Sequence, residues 1–379
     1  MPHEIQFATF NVLNLALPGS RFYSNQEPYS IAQYDAKISW LAQQLDRLDA
    51  DVIGLQEIFS QEALKDVLAR TKNYRDAHHL GCDPLPRNGQ LSPNVAMISR
   101  LPVVGKPIYH LDLPRNLSVS LPDMAQPMTQ FTRPILQATL VLPGGRHLNA
   151  FVVHLKSKRP DWRQGELEDD PYQHGLATLR SLLRRGTEAL GLRYLLTDHG
   201  LAGQTPLVVL GDFNDTADAV TTQIVMGSGW RGKAHFDERL YDCVRIQLHS
   251  NPLRNTGFSH VHDGAAETID HILVSKELYR HSPQAIGEVI NVRYLNEHLA
   301  LRPAATSDHG QVVVRVHLYR PEEQATHEST QGASCDDVNY TASGFFGVAA
   351  ASSPDSSTAS AASSSSSEVS SVDSPSSPG

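Results

Sequence analysis

Residues 206–215 read PLVVLGDFND. Four apolar residues give way at Gly211 to Asp212, Asn214 and Asp215, so a buried strand empties into a polar turn. Working outward from it, the same pattern recurs. IQFATFNVL (5–13) reads as a strand closing near Asn11, and DVIGLQE (51–57) as a buried strand closing on Glu57. Between them Tyr34, Ile38, Leu41, Leu45 and Leu48 recur at helical spacing, which predicts an amphipathic helix ending near Asp49. SQEALKDVLAR (60–70) reads as a helix capped by Ser60, and NVAMISR (94–100) as a strand. ILQATLVLPGGRHLNAFVVHLK (135–156) is two strands about a Gly-Gly turn, the second closing on His154. Leu176, Leu179, Leu183, Leu190 and Tyr194 mark a long helix over 174–198. TIDHILVS (268–275) and GQVVVRVHL (310–318) are late strands. Strands outnumber helices and hairpins mix with crossovers, which predicts an α/β architecture with mixed sheets. Two polar, Pro-containing segments, 104–132 and 157–174, read as surface insertions.

Composition narrows the function classes. The chain of 379 residues carries a formal charge of −9, but eight acidic residues and no Lys or Arg follow Arg320. Removing those eight charges leaves residues 1–320 at about −1, which argues against a strongly basic nucleic-acid clamp. Cys82, Cys243 and Cys335 share no metal-ligand spacing, so neither a disulfide framework nor a cysteine zinc site is expected. No basic-then-apolar leader opens the sequence and no stretch approaches roughly 18 apolar residues. A cytoplasmic monomer without membrane insertion is the expectation. Residues 1–320 are expected to form the catalytic domain, and 331–379, rich in Ser and Ala and acidic, a disordered tail.

The strand ends carry the chemistry. Asn11, Glu57, His154, Asp212, Asn214, Asp270 and the pair Asp308-His309 all sit where buried strands begin or end, the place an open-sheet protein builds a site. Each alone has a plain reading as a turn residue, a helix-start carboxylate or a half-buried histidine; their joint occurrence shifts the balance. Glu57 and Asp212, with Asn11 nearby, are hard oxygen donors suited to Mg²⁺ or Mn²⁺ rather than zinc. His309 is suited to act as a general base or charge stabiliser, with Asp270 orienting it by accepting a ring N–H bond. Asn214 is placed to hold the attacking water or a phosphoryl oxygen. No Cys or Ser nucleophile has a neighbouring partner, so metal, water and phosphate are favoured over a covalent intermediate.

TFNVLNL, GLQEI, FVVHLKS, GDFND, TIDHILVS and TSDHG, in that order, resemble the motifs of the endonuclease/exonuclease/phosphatase superfamily, with the likeness spanning residues 5–318. The resemblance implies a four-layer α/β sandwich, two mixed β-sheets packed face to face with helices outside. It implies Glu57 as the principal metal ligand with Asn11 its neighbour and Asp308 a further metal or water ligand. Asp212 and Asn214 would position water and phosphate, His309 would be the catalytic histidine supported by Asp270, and His154 would face it across the phosphate. Leu13 stands where apurinic endonucleases have Asp, and His154 where they have Tyr. Glu-Thr-Ile-Asp270 replaces the Trp-Cys-Asp-Arg run of inositol-polyphosphate phosphatases, so both subfamilies are disfavoured. Lys156, Lys158, Arg159, Arg163 and Arg133 are candidate phosphate grips, or else part of a solvated loop balanced by Glu166, Glu168, Asp169 and Asp170. The expected activity is Mg²⁺-dependent phosphodiester hydrolysis, with nucleic acid the first substrate considered. Phospholipid or small phosphoester hydrolysis, and a non-catalytic binding protein, are the alternatives.

Overall fold

The structure, a computed structural model, describes residues 3–22, 26–84, 91–201, 205–227, 238–251, 257–301 and 305–334. Its strands in chain order are β1 (Glu4–Leu15), β2 (Val52–Ile58), β3 (His78–Gly81), β4 (Asn94–Ser99), β5 (Val103–Asp112), β6 (Gln130–Val141) and β7 (His147–His154). After them come β8 (Leu207–Asp212), β9 (Tyr241–Asp242), β10 (His260–His262), β11 (Ala265–Glu267), β12 (Asp270–Val274), β13 (Gly287–Leu295) and β14 (Gln311–Leu318). The helices are α1 (Ile31–Leu48), α2 (Gln61–Arg70), α3 (Pro171–Leu196), α4 (Val220–Met226), α5 (Cys243–Ser250), α6 (His298–Leu301) and α7 (Pro321–Ser334). None of these helices is long and apolar enough to cross a membrane. The last four residues of α7 are the first four of the stretch expected to be a disordered tail; the rest of that stretch, 335–379, lies outside the described residues.

Two six-stranded sheets face each other, ordered β13-β14-β1-β2-β4-β3 and β5-β6-β7-β8-β12-β9, and β10 and β11 form a separate hairpin. Each large sheet has one parallel pair at its centre, β1–β2 in the first and β7–β8 in the second; every other neighbour is antiparallel. This is the mixed, four-layer α/β sandwich that the motifs imply.

Alternation along the strands sets the layers. In β1, Ile5 and Phe7 point into the core between the sheets, where they join Val52, Met97, Leu136, Val152, Leu210 and Val314. The opposite face of the first sheet (Ala8, Phe10, Ile53, Leu55, Ala96) packs under α1 and α2. Phe151, Val153 and Val209 on the second sheet's outer face lie under α3, against Ala189, Leu192 and Leu196. Both central strand pairs are thus buried on two faces, which is why they read as near-continuous apolar runs. The predicted α1 carries a full capping box at Ser30 and Gln33, and it ends at Asp49 with φ of 48°.

The segment 104–132, expected to be a surface insertion, is a strand in its first part: β5 pairs with β6 at the sheet edge. No residue of β5 is buried and half are exposed, which, together with Gly105 and Pro107, hid the strand pattern. Edge strand β13 and the short α5 were also not anticipated; β13's alternation is broken by an irregularity between Val289 and Asn291.

Facing Leu210 and Val152 of the second sheet, β2 carries Gly54. A Cβ built there would stand 2.8 Å from the Leu210 Cβ and 3.2 Å from a Val152 methyl of the facing sheet. Gly54→Ala therefore overpacks the inter-sheet core and should cost about 1–3 kcal/mol. The check is the urea unfolding midpoint; an unchanged midpoint would show that the sheets yield at this point without penalty.

Candidate active site

Strand direction gathers the polar residues at one end of the sandwich. Because β1 and β2 are parallel, Asn11 and Glu57 emerge from the first sheet on the same side. Because β7 and β8 are parallel and in register, His154 lies opposite Asp212 in the second sheet. Antiparallel β12 enters there with Asp270 directly opposite Asp212. Asp308 and His309 precede β14, which runs antiparallel to β1 and enters at the same end. One amide stitches the two halves together: Asn11 Nδ2 donates to Asp212 Oδ2 at 3.0 Å and to Glu57 Oε1 at 3.4 Å.

The backbone bends to aim these groups. Leu13, Asn14, Glu57 and Asn214 adopt left-handed conformations, with φ of 55°, 56°, 63° and 53°. Pairing is irregular between Asn11 and Leu15 in β1 and between Leu55 and Ile58 in β2. Such residues cost of order 1–3 kcal/mol each and persist where surrounding contacts over-determine them. Here the Asn14 N–H donates to Glu57 Oε2 at 3.0 Å, and the Asn214 N–H to Asp212 Oδ1 at 2.8 Å.

His309 is the most heavily constrained side chain of the group. Its Nδ1 lies 2.8 Å from Asp270 Oδ2, and its Nε2 is 3.8 Å from Asp212 Oδ2 and 4.0 Å from Asp308 Oδ1. Ser307 Oγ donates to the Asn11 carbonyl at 2.6 Å and accepts the His309 N–H at 3.0 Å. His298 Nε2 sits 2.9 Å from the His309 carbonyl oxygen. Asp270 is fixed in turn by Ser259 Oγ, which accepts the N–H groups of Ile269 and Asp270 at 3.1 Å.

The electrostatics divide the two histidines. Burial alone would lower the His309 pKa, but the charges of Asp270 and then Asp212 prevail and raise it to about 10. Burial and the charge of Asp270 push Asp212 up to about 7. Burial, with the charges of Arg133 and His309, holds His154 well below its ordinary value, so this ring is neutral; its Nε2 lies 3.5 Å from Asp212 Oδ2.

A cavity of about 660 Å³ opens over this end, lined by Glu57, Arg133, His154, Asp212, Asn214, Asp308 and His309 among others. Asn11 and Asp270 stand behind the lining, both fully buried. Asn11 was expected as a neighbouring metal ligand. In the structure its amide nitrogen faces the carboxylates while its Oδ1 accepts the Leu13 N–H at 3.1 Å, so it organises the acids. Lys156 was expected to face phosphate, but its ammonium turns away to the carbonyls of Ser157 (3.1 Å) and Arg159 (2.9 Å). Lys158 and Arg159 line the cavity instead. Arg133 lines it while donating to the Leu155 carbonyl at 3.1 Å. His260 and His262 of the β10–β11 hairpin complete one wall; nothing in their sequence context marked them.

The donor set suits a hard divalent cation. Glu57, Asp212 and Asp308 offer carboxylate oxygens, and among the described residues none of the three has a Lys or Arg ion pair. Buried acid without such a partner favours a bound cation or a proton, and the raised Asp212 value is the mark of that imbalance.

A second buried network holds the turn that follows β8. Asp215 Oδ2 accepts from Arg185 Nε at 3.0 Å and from Thr221 Oγ1 at 2.8 Å, and the Asp215 carbonyl faces His271 Nε2 at 3.0 Å. His271 Nδ1 is 2.8 Å from Asp242 Oδ2, and Asp242 also caps α5. Although burial opposes both, the pair raises the His271 pKa and lowers that of Asp242.

Comparison with known proteins follows the same lines. Residues 8–309 match the Endonuclease/Exonuclease/phosphatase family. The chain resembles the solved structure of a Bacteroides vulgatus endonuclease/exonuclease/phosphatase at 18% identity and a TM-score of 0.51, covering 83% of this chain and 99% of that one. A family protein of Bacteroides thetaiotaomicron is similar at 17% identity and a TM-score of 0.52, over 84% and 98% of the respective chains. No curated protein matches the sequence.

The Asp242–His271 pair makes a pH-dependent contribution with a definite sign. A lowered Asp gives stability that is present above its unfolded value of 3.8 and lost as pH falls below it. A raised His gives stability that is full below 6.5 and lost as pH rises through its folded value. Asp242→Ala, which strands a buried imidazolium, should therefore cost about 3–5 kcal/mol near pH 6 and distinctly less at pH 3 or pH 9. Denaturant unfolding at those three pH values is the check, and a cost that does not vary with pH would refute the ionised pair.

Proposed function

The chain belongs to the endonuclease/exonuclease/phosphatase family, and on that premise we propose that it is a divalent-metal-dependent hydrolase of phosphodiesters, with nucleic acid the first substrate class. The observation that carries the reading is Asp212, whose Oδ2 is approached by Asn11, His154 and His309 from strand ends of both sheets. Asp212 Oδ2, where groups from both sheets meet, is placed to accept a proton from the attacking water. His309 meets substrate as a cation: Nδ1–H is held by Asp270, which leaves Nε2–H to donate to a phosphoryl oxygen as negative charge grows on it. Neutral His154 stands on the other side of Asp212, its Nε2 3.5 Å from Oδ2, without adding charge.

Glu57 is the residue we assign to hold Mg²⁺ or Mn²⁺, with Asp308 a further oxygen; the cation supplies neutralisation of phosphate charge. Lys158, Arg159 and Arg133 give the cavity wall positive charge, which suits a polyanionic strand. Lys158 shares its charge with Glu267 at 3.2 Å and Asp215 at 3.6 Å, so its grip on a phosphate is modest.

Turnover of bis-p-nitrophenyl phosphate, plasmid DNA, single-stranded RNA and sphingomyelin with Mg²⁺, Mn²⁺ or EDTA tests both metal and substrate. Glu57→Gln should raise the metal concentration needed and lower the rate, and full activity in excess EDTA would sink the reading. A second expectation follows from the Asp270–His309 hydrogen bond. His309→Ala should cost about 10²–10⁴ in turnover, Asp270→Asn a substantial part of that, and the double variant little more than His309→Ala alone. Multiplying losses in the double variant would place Asp270 in some other role.

A further inference from the structure

The β10–β11 hairpin brings to the cavity a histidine that the hydrolytic reading does not use. One ligand atom each from His260, Asp308 and His309 lie within 4.8 Å of one another. We propose that these three residues form a site for a borderline transition ion, zinc foremost, and that its occupancy shuts off the enzyme by taking His309.

The chemistry of the donors separates this site from a magnesium one. Two imidazole nitrogens beside one carboxylate oxygen, with a fourth position open to the cavity, make a mixed set that suits zinc, whereas magnesium prefers oxygen donors throughout. His309 already has the support that ligating histidines carry, because its Nδ1 is held by Asp270 Oδ2 at 2.8 Å and Nε2 is left to face the ion. His260 is pinned beside it by a backbone bridge to His309 and by the Gly310 N–H donated to the Ser259 carbonyl at 2.6 Å. The two rings lie with centroids 4.8 Å apart. The Nδ1 of His260 is buried and has no hydrogen-bond partner, so this ring holds a ring nitrogen that the protein itself does not satisfy.

The required movement is small. Two ligands on one tetrahedral ion stand about 3.3–3.5 Å apart, given metal–ligand bonds of about 2.0–2.2 Å. His309 Nε2 and Asp308 Oδ1 are 4.0 Å apart, and the Asp308 side chain, 50% exposed, is free to close the gap. Zinc would take the place of the proton on Nε2, which leaves to solvent, at the atom that faces the phosphoryl oxygen in the hydrolytic reading, and would also draw off Asp308. The inhibition rests on that reading; the binding does not.

The test separates the two. Co²⁺, as the spectroscopic probe, should bind the full chain with a four-coordinate visible spectrum in the presence of saturating Mg²⁺, and Zn²⁺ should displace it. His260→Ala should weaken Co²⁺ and Zn²⁺ binding at least about tenfold. Glu57→Gln, expected to lose turnover, should bind Co²⁺ with unchanged affinity, so binding is read even where hydrolysis is not. In the native chain Zn²⁺ should abolish turnover under Mg²⁺, and His260→Ala should raise the half-inhibiting Zn²⁺ concentration by the same factor as the binding constant. Equal Co²⁺ affinity in His260→Ala would overturn the site, as would an equal loss in His262→Ala. Full Zn²⁺ occupancy with undiminished turnover would overturn the shut-off.

Discussion

A single side-chain amide bridges two carboxylates that arrive from different sheets. Asn11 Nδ2 donates to Glu57 within its own sheet and to Asp212 across the sandwich. Buried carboxylates are costly unless hydrogen bonded, so this amide lets two acids stand close together in a core otherwise filled by Val, Leu and Phe. It also ties the spacing of the sheets to the spacing of the site. Gly54, lacking a side chain, permits the close approach of β2 to Leu210, one turn of the pleat from where Asp212 ends its strand. Inter-sheet packing and site geometry are therefore one constraint.

Around that bridge the charges do not balance, and the imbalance is arranged. Glu57, Asp212, Asp270 and Asp308 meet one imidazole held positive and one held neutral. The difference between the two rings comes from position: His309 touches Asp270 directly, while His154 Nδ1 is buried without a partner. The remaining negative charge is what a cation needs. The left-handed backbone at Glu57 and Asn214 points the same way, with conformational strain held where ligand and water would sit.

Much of this was legible in the chain. The central strands announced themselves because they are buried on both faces, and α1 to α3 because each has one apolar face. The acids and histidines that line the site were visible because each lies at a strand end, where an apolar run breaks. What escaped had weaker physical signals. Strand β5 lies at an edge with half of its residues exposed and none buried, and β13's period slips at a bulge. Lys156 and Lys158 are two residues apart beyond the end of β7, where strand periodicity no longer says which one turns inward. Ser259 and Ser307 support the site through hydroxyl bonds to backbone groups of other segments, ten or eleven residues away for Ser259 and 296 for Ser307, a role that no local pattern betrays.

The order of strands in the first sheet carries a consequence for how the molecule comes into being. Among the described residues the first strand in the chain, β1, lies at the sheet's interior between β2 and the last, β14. One of its flanks can be satisfied almost at once, by β2; the other must wait for some three hundred further residues. A nascent chain emerging from the ribosome therefore carries an open, apolar edge for nearly the whole of its synthesis, and closing it brings His309 into place beside Asp270. Chains cut short before His309 would lack that histidine and the closing strand together, so incomplete products would have an unfinished site and an adhesive edge, the kind of species that cellular proteases and chaperones are equipped to remove.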